Sequence, residues 1–356
     1  MIILGIESSC DETAAAIVKD GRQILSNVIV SQVDIFKAYG GVIPEVAARS
    51  HLEAILPVIH QAFKDAGFQK DGQDDWSQID AIAVTHTPGL LGSLLIGTLT
   101  ARTLAILHNK PLYPVHHLKS HIYSAWLDQQ VPDFPLLALV VSGGHTQIIH
   151  MSNHNKFQII GTTRDDAVGE CFDKVAKILG LPYPGGPSIA QAATQGDSHK
   201  YRFPHPKLTT KARPGNNSAN TAYDFSFSGL KTAVLRAVQE ELKKPISFPS
   251  HQLASLLNAQ QVADFAASFQ QTAVDILLEN LTRATQNYPC KSIVIAGGVS
   301  ANQLLREKAP KCFFPTKSLA GDNAAMVASA AFFEHNSGIQ PTDPYTITLQ
   351  PRSPIQ

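Results

Sequence analysis

Two segments of the chain share one design: an apolar strand, a short polar loop, a second strand, a polar turn and a third strand. The first copy spans residues 2–30 and the second spans residues 136–160. The Asp20-Gly21 pair in the first copy is a hairpin signal. Two short hairpins can match by coincidence, but Ser and Thr also recur at the same offset in both polar loops. The sequence therefore predicts a duplicated unit, with one copy in each of two similar domains.

Helix-like and strand-like segments alternate along the rest of the chain. Short apolar runs at residues 81–84 and 292–296 are typical of strands. This alternation predicts α/β domains with mixed sheets, at residues 1–133 and 134–330, followed by a helix end and tail at 331–356. We expect a ligand in the cleft between the two domains. Helical periodicity covers residues 42–63, 91–107, 167–179, 228–242 and 253–286.

Composition narrows the class of protein. Lys+Arg and Asp+Glu both number 29, so the formal net charge is zero, which argues against binding of nucleic acid through the bulk charge alone. The four cysteines are far apart and form no C-x-x-C pair, which argues against a thiolate zinc site and a disulfide framework. The N-terminus lacks a basic signal-peptide region, and no run of about 18 apolar residues is present. We expect a cytoplasmic protein without a membrane span.

Two glycine pairs follow predicted strands. Gly143-Gly144 follows a predicted strand that ends before Ser142. Because glycine has no Cβ, backbone N–H groups can approach an anionic ligand there. A tight hairpin that binds no ligand has the same pattern. Gly297-Gly298 ends another strand, and Ser300 is predicted to cap the next helix. Asn302 then lies near the helix N-terminus, where it can meet a base or ribose.

Three acids precede a further Gly-Gly pair. Asp166, Glu170 and Asp173 are spaced to lie near one helical face. Three solvated acids are one interpretation, and a ribose or metal contact by Asp173 is the other. The residues alone leave both open.

Three histidines lie within six residues. His117 and His121 are four residues apart, a spacing that places two imidazoles on one side of a helix and suits a shared divalent metal ion. His116 would point elsewhere. Asp322 is a candidate third ligand, or else simply the N-cap of the following helix. Because no Glu lies between the histidines, a zinc peptidase of the H-E-x-x-H type is disfavoured.

Taken in order, these segments resemble the TsaD family of bacterial tRNA adenosine threonylcarbamoyltransferases. Each motif by itself is weak, but the ordered set is specific. The matching stretches are residues 5–13, 40–45, 88–92, 116–121, 141–146, 165–174, 183–187, 225–232, 297–302 and 321–323.

The resemblance implies a duplicated actin-like fold (ASKHA, ribonuclease H-like). It implies transfer of the threonylcarbamoyl group from threonylcarbamoyl-AMP to N6 of adenosine 37 in tRNAs that read ANN codons. His117, His121 and Asp322 match the family's metal ligands, usually for Fe²⁺ and sometimes for Zn²⁺. TsaB-like and TsaE-like subunits are the implied partners, and a TsaC-like enzyme makes the donor. The positions that match the family's adenylate site are Val140, Val141, Ser142, Gly143, Gly144, Asp173, Gly186 and Asn302.

The chain departs from the family pattern at three places. Leu118-Lys119-Ser120 replaces the Met-Glu-Gly that commonly separates the metal histidines, so we expect a cation where a carboxylate stood beside the metal. Ala320-Gly321 replaces Cys-Thr, and Cys171 replaces Ala. None of these changes removes a predicted ligand.

Two further roles are predicted in the transfer reaction. Glu12, in the first polar loop, is expected to place or deprotonate the acceptor amine. The basic and aromatic segment 200–207, with Lys211 and Arg213, could contact the tRNA backbone and a splayed base, or be an ordinary exposed loop. With zero net charge, we expect weak tRNA affinity without partner subunits.

Rival functions remain on the same fold. A small-molecule kinase would use ATP and Mg²⁺ but would have no need of the His117–His121 pair. A non-catalytic ATP-binding scaffold would survive the loss of His117.

Overall fold

The computed structural model describes residues 1–128, 130–206, 222–353 and 355. The chain groups into two compact units. Unit 1 comprises Met1–Phe134, Met151–Phe157 and Phe313–Gln356, and unit 2 comprises Pro135–His150 and Gln158–Cys312.

Strands and helices alternate as the sequence predicts. In chain order they are β1 (Ile2–Glu7), β2 (Glu12–Lys19), β3 (Gln23–Ser31), α1 (Val33–Lys37), α2 (Pro44–Asp65), β4 (Gln69–Lys70), β5 (Gln73–Asp74), β6 (Ala81–Thr87), α3 (Leu91–His108), β7 (Leu112–His116), α4 (His117–Tyr123), β8 (Leu136–Val141), β9 (Thr146–Asn153), β10 (Lys156–Thr162), α5 (Val168–Leu179), α6 (Gly185–Ala193), α7 (Ser228–Glu241), α8 (Ala259–Asn287), β11 (Ser292–Ala296), α9 (Gln303–Lys308) and α10 (Ala324–Asn336).

The turn that joins strands β2 and β3 has the predicted hairpin geometry. Asp20 has a φ of 51° and Gly21 has a φ of 65°, both in the left-handed region. Two consecutive left-handed residues make the type I′ turn, whose twist matches that of the flanking strands. The Asp-Gly signal in the sequence is confirmed.

The main sheet of unit 1 has the order β3-β2-β1-β6-β7. Strand β1 is antiparallel to β2 and parallel to β6, and β6 is parallel to β7. Because side chains alternate along a strand, Leu4 and Ile6 enter one core with Ile59 and Phe63 of α2. Gly5 faces the other side of the sheet, where helix α10 packs.

Helix α10 approaches β1 closely because both surfaces lack bulk. A Cβ added to Gly5 would overlap the carbonyl oxygen of Ala324 and would lie 3.1 Å from Cβ of Ala328. Ser329 Oγ donates to the carbonyl oxygen of Gly21, which ties the same helix to the β2–β3 turn. Residues 313–330 group with unit 1, whereas the sequence predicts them in the second domain. The domain ranges themselves stay a prediction.

Helix α3 is apolar along its length. Its 18-residue window has a mean hydropathy of 1.3, so by length and composition it could cross a membrane, alone among the helices of the described residues. One side of α3, with Leu94, Ala101 and Ala105, is buried in unit 1. A core helix of a globular domain passes the same test, so this property by itself does not place α3 in a membrane.

The second copy of the repeated unit forms the sheet of unit 2, with the order β10-β9-β8-β11. Strand β8 lies between its hairpin partner β9 and the parallel strand β11. Strand β1 has the same position between β2 and β6. The two sheets therefore share one arrangement, as the duplicated sequence pattern predicts.

One predicted helix starts later than expected. Helix α8 begins at Ala259, whereas the apolar periodicity extends back to Leu253. Asn258 accepts a hydrogen bond from the Gln261 backbone N–H, and the Gln261 side chain accepts one from the Asn258 backbone N–H. This capping box ends the preceding turns and sets the start of the helix.

We expect Gly5→Ala to lower the free energy of unfolding by about 1–3 kcal/mol, since a backbone carbonyl of α10 must move to admit a methyl group. Urea denaturation of the full chain measures this change. Gly41→Ala is the matched control, because an added Cβ there meets nothing within 4 Å. Equal stability of the two variants would contradict the close approach of α10.

Candidate metal centre

Helix α4 presents the histidines directly after strand β7. Its N-cap is His116, whose Nδ1 accepts a hydrogen bond from the Leu118 backbone N–H at 3.2 Å. The other nitrogen of His116 lies 3.1 Å from the carbonyl oxygen of Ser353. Burial lowers the pKa of His116 to about 3. His116 thus points away from the pair, as the sequence predicts.

The structure brings His117, His121 and Asp322 together within unit 1. Asp322 Oδ1 lies 3.5 Å from His117 Nε2 and 3.1 Å from His121 Nε2. The candidate ligand atoms of all three residues lie within 4.8 Å of one another. Ligand atoms bonded to tetrahedral zinc at about 2 Å lie about 3.3 Å apart, close to the two distances from Asp322, so the group could hold a metal ion.

Asp322 is not the N-cap of helix α10. That role belongs to Asn323, whose Oδ1 accepts a hydrogen bond from the Met326 backbone N–H at 3.0 Å. The Asn323 side-chain amide also donates to the carbonyl oxygens of Leu319 and Gly321. The alternative interpretation of Asp322 as a cap is therefore wrong, and its carboxylate faces both histidines.

The histidine environments fit a metal ion. His121 is fully buried; its Nδ1 has no hydrogen-bond partner among the described residues, and its Nε2 makes no well-aligned hydrogen bond although Asp322 Oδ1 lies 3.1 Å away. A buried polar atom without a hydrogen bond is costly, and a cation between His121 Nε2 and Asp322 would remove that cost at Nε2. His117 Nδ1 lies 3.0 Å from Glu7 Oε2, which leaves Nε2 directed at Asp322. A carboxylate behind a histidine is the usual support of a metal-binding imidazole.

Glu7 is the site residue that sequence reasoning missed. It ends strand β1, is fully buried, and accepts hydrogen bonds from the Ser9 backbone N–H and the Thr85 hydroxyl, each at 2.6 Å. Burial acts to raise the pKa of Glu7, but the His117 ring and the Thr85 hydroxyl outweigh it and lower the pKa. A carboxylate that directly follows an apolar strand was the available signal, because a buried charge requires partners.

The same interactions raise the pKa of His117 to about 9. Burial alone would lower it, but the negative charges of Asp322 and Glu7 have the larger effect. The pocket around His117 therefore favours positive charge. A divalent cation satisfies that preference as well as a proton does.

Glu12 lies at the start of β2 in the same unit. Burial, followed by the negative charges of Asp322 and Asp11, raises its pKa to about 10. Its Oε1 accepts a hydrogen bond from the Ser31 hydroxyl at 3.2 Å. The structure therefore places Glu12 within electrostatic reach of the ligand group.

Lys119 is not beside the ligand group, contrary to the sequence expectation. Its Nζ lies 3.2 Å from Glu334 Oε1 and 4.6 Å from the centroid of the Phe157 ring. Two residues along a helix correspond to a turn of about 200° from either histidine. The cation therefore points away from the ligands.

The glycine loop of unit 2 offers backbone groups. Val140 and Val141 are buried in β8, so only their backbone atoms can reach a ligand. Beyond them, a Cβ added to Gly143 or Gly144 would meet nothing within 4 Å, so this side of the loop is open. The Gly169 backbone N–H donates to the Ser142 carbonyl at 3.2 Å, which brings the N-terminus of α5 against the loop.

The three acids around α5 do not act as one face. Asp166 precedes the helix, and Lys174 Nζ pairs with Asp166 at 2.7 Å and with Glu170 at 3.0 Å. Asp173 Oδ1 instead accepts a hydrogen bond from the Gly185 backbone N–H at 2.6 Å. Asp173 thus supports the start of α6, beside Gly186, where an added Cβ would meet nothing within 4 Å.

Asn302, rather than Ser300, caps the helix after β11. Asn302 Oδ1 accepts a hydrogen bond from the Leu305 backbone N–H at 3.1 Å, and Asn302 Nδ2 donates to Gln270 Oε1 at 2.8 Å. The prediction for Ser300 is wrong because a short 3₁₀ turn, Gly298–Ala301, lies between the strand and the helix.

The aromatic residues of the basic segment serve packing in unit 2. The Tyr201 ring stacks on Phe265 with centroids 3.8 Å apart, and Phe203 is buried. Burial, with the negative charge of Glu241, raises the pKa of Tyr201 to about 12. These rings do not fit the predicted stacking on a splayed base. Lys207, Lys211 and Arg213 lie outside the described residues.

Comparison with known proteins identifies the family of the chain. A family model described as "TsaD: tRNA N6-adenosine threonylcarbamoyltransferase" matches residues 23–329. A Symbiobacterium thermophilum protein of that description is 46% identical, covering 95% of this chain and 93% of the relative. A Bacillus subtilis protein of the same description is 44% identical, covering 96% and 92% respectively.

Solved structures confirm the fold class. Full-length HypF in its phosphate- and nucleotide-bound form matches with a TM-score of 0.56 at 12% identity, over 94% of this chain and 46% of that one. The Clostridium difficile activator of 2-hydroxyisocaproyl-CoA dehydratase, with bound ADPNP, matches with a TM-score of 0.50 at 13% identity, over 95% and 96%. These neighbours have the actin-like fold, and at such identities they show the fold alone.

We expect His121→Ala and Asp322→Ala to abolish stoichiometric binding of Fe²⁺ or Zn²⁺, because two remaining ligands do not complete a site. Titration of the chelator-treated chain, with metal analysis after gel filtration, measures the binding. His116→Asn is the control, since Asn also caps helices well and His116 lies beside the pair without facing Asp322. Full binding by His121→Ala would contradict the site.

Proposed function

Because the chain belongs to the TsaD family, it transfers a threonylcarbamoyl group to N6 of adenosine in tRNA, and we propose that His117, His121 and Asp322 hold the metal ion of this reaction. One observation carries the proposal. Three ligand atoms from two distant parts of the sequence lie within 4.8 Å of one another, and the buried Nε2 of His121 lies 3.1 Å from Asp322 Oδ1 without a well-aligned hydrogen bond among the described residues.

The donor in this proposal is threonylcarbamoyl-AMP and the acceptor is N6 of adenosine 37 in tRNAs that read ANN codons. N6 forms a bond to the carbamoyl carbon, the bond from that carbon to the phosphate oxygen breaks, AMP leaves, and N6 loses a proton. The N6 lone pair is delocalised into the purine, so the amine is a weak nucleophile. Correct placement of donor and acceptor therefore supplies much of the rate.

A divalent ion, when bound, would polarise a donor oxygen and orient the donor. Two histidines and one carboxylate suit Fe²⁺ in particular, and Zn²⁺ also takes this ligand set. We assign the site to Fe²⁺, with Zn²⁺ as the alternative. Glu7 holds the His117 ring in the orientation that this role requires.

Glu12 is proposed to place the acceptor amine. With its pKa raised to about 10, the side chain is protonated at neutral pH and is able to donate a hydrogen bond. A cation held at the ligand group would favour the carboxylate form of Glu12, because opposite charge stabilises it. Glu12 can then accept the proton that N6 loses.

The adenylate of the donor is proposed to bind unit 2. Support comes from the open side of the loop at Gly143 and Gly144 and from the nearby N-terminus of α5, which favours phosphate. Residues 140–142, Asp173, Gly186 and Asn302 complete the proposed set. Kinase activity or an ATP-binding scaffold finds support only in the fold, since neither uses the ligand group.

The proposed partners are tRNA and the TsaB-like and TsaE-like subunits, with the donor supplied by a TsaC-like enzyme, and the proposed location is the cytoplasm.

Unit 1 offers a surface for one of these partners. Helices α2 and α3 pack together and expose large apolar side chains. We define this leucine face as Leu52, Leu56, Leu91, Leu95 and Leu99. An exposed apolar patch of this kind marks a protein interface, and we assign it to the TsaB-like subunit.

We expect His117→Ala and Asp322→Ala to lose transfer of labelled threonine to tRNA in a reaction with purified components. Loss of the ligand group removes the cation that orients the donor. A His117→Ala chain with normal transfer would instead favour a nucleotide-binding scaffold.

Glu12→Gln should lower the single-turnover transfer rate about 100-fold or more, with metal content unchanged, because an amide cannot accept the proton. Glu53→Gln on the exposed side of α2 is the control. A normal rate for Glu12→Gln would remove the proposed role.

Leu95→Glu should abolish the complex with the TsaB-like subunit in size-exclusion chromatography, since it buries a charge in an apolar interface. Metal binding should be retained. Ile246→Glu, an exposed position in unit 2, is the control and should leave the complex intact. Complex formation by Leu95→Glu would place the interface elsewhere.

A further inference from the structure

We propose that Lys119 and Glu334 form a positioning ion pair that fixes the ligand helix α4 against helix α10. The inference rests on the proposed metal centre and deepens it. The ligand group needs α4 and α10 in a fixed relative position, because His117 and His121 lie on α4, whereas Asp322 directly precedes α10.

Helix α4 cannot hold its own position. It has seven residues, and isolated helices of that length are unstable in water. Its geometry therefore depends on tertiary contacts. The spacing of the ligand atoms depends on the same contacts, because a small rotation of α4 would move both histidines relative to Asp322.

The ion pair acts on the side of α4 opposite the ligands. Lys119 Nζ lies 3.2 Å from Glu334 Oε1, and the two side chains are only 16% and 8% exposed. The Phe157 ring covers the ammonium group at 4.6 Å from its centroid, which adds a cation–π contact. A pair so shielded from solvent is screened less than a surface pair.

The chain offers no substitute for either charge on these helices. Glu334 is the only acid in the α10 sequence, whose other residues are mostly small and apolar, and Lys119 is the only lysine or arginine in α4. Removal of one partner leaves the other charge buried and uncompensated, which is more damaging than the absence of both.

The ion pair and the ligand group hold α4 at two separate points. Glu334 lies ten residues after Ala324, so it is roughly 15 Å along α10 from the end that carries Asp322. A helix held at one point can still rotate about that point. Contact at two separated points restricts this rotation of α4. The ligand atoms are thereby preorganised before a cation binds.

The experiment titrates Co²⁺ into the chelator-treated full chain and follows the visible absorption of the bound ion together with the Kd. Lys119→Met and Glu334→Gln should each weaken Co²⁺ binding about tenfold or more and alter the absorption band, as is typical when support of metal ligands is lost. Lys119→Arg should retain the band and most of the affinity. The double variant should bind no more weakly than the weaker single variant.

Lys37→Met is the matched control, since Lys37 pairs with Asp34 at 2.7 Å on the exposed surface of the same unit. Unchanged Kd and spectrum in Lys119→Met would overturn the inference, and so would single effects that simply add in the double variant. If Lys119→Met does not fold, Glu334→Gln and the double variant decide by the same criteria. A wild-type chain that binds no Co²⁺, equal to His121→Ala, would instead overturn the proposed metal centre itself.

Discussion

The candidate site depends on one buried carboxylate, that of Glu7. It ends the central strand of unit 1 and accepts hydrogen bonds from the Ser9 backbone and from Thr85 on the neighbouring strand. The neighbouring His117 ring, with help from the Thr85 hydroxyl, keeps it ionised inside the protein, where an unpaired charge would be costly. The ionised carboxylate in turn orients His117 and favours positive charge at the ligand group. Sheet, polar loop and metal centre are thus joined through a single side chain.

A second constraint is the close packing of α10 on β1. Gly5 leaves room for the backbone at Ala324, and the helix then delivers Asp322 to the histidines from more than 200 residues along the chain. Asn323 takes the capping role, which frees the neighbouring aspartate from it. The geometry of the ligand group therefore depends on the close packing of α10, which is rich in small residues, against Gly5 of β1.

Local patterns predicted much of this protein. The Asp20-Gly21 turn was predictable because few residue pairs adopt two left-handed conformations, and the His117–His121 spacing because helix geometry places residues four apart on one side. The cap at Asn302 and the stacking of Tyr201 were not predictable. A 3₁₀ turn moves the start of the helix from Ser300 to Asn302. The Tyr201 ring stacks on Phe265, which belongs to a helix far away in the sequence. The direction of Lys119 likewise depends on Glu334, a partner that no local pattern reveals.

The amino-acid sequence by itself determined the repeated strand units, the positions of most helices, the family and the residue types of the candidate site. These follow from periodicity, turn chemistry and ordered motifs, all of which are local or additive along the chain. Tertiary structure alone decided that Glu7 stands behind His117, that Asp322 faces the pair while Asn323 caps the helix, and that Lys119 turns away from the pair. Those outcomes depend on packing between segments that are distant in the sequence. A charged side chain that becomes buried there needs a partner of opposite charge or a hydrogen bond, and only the packing determines which partner is in reach.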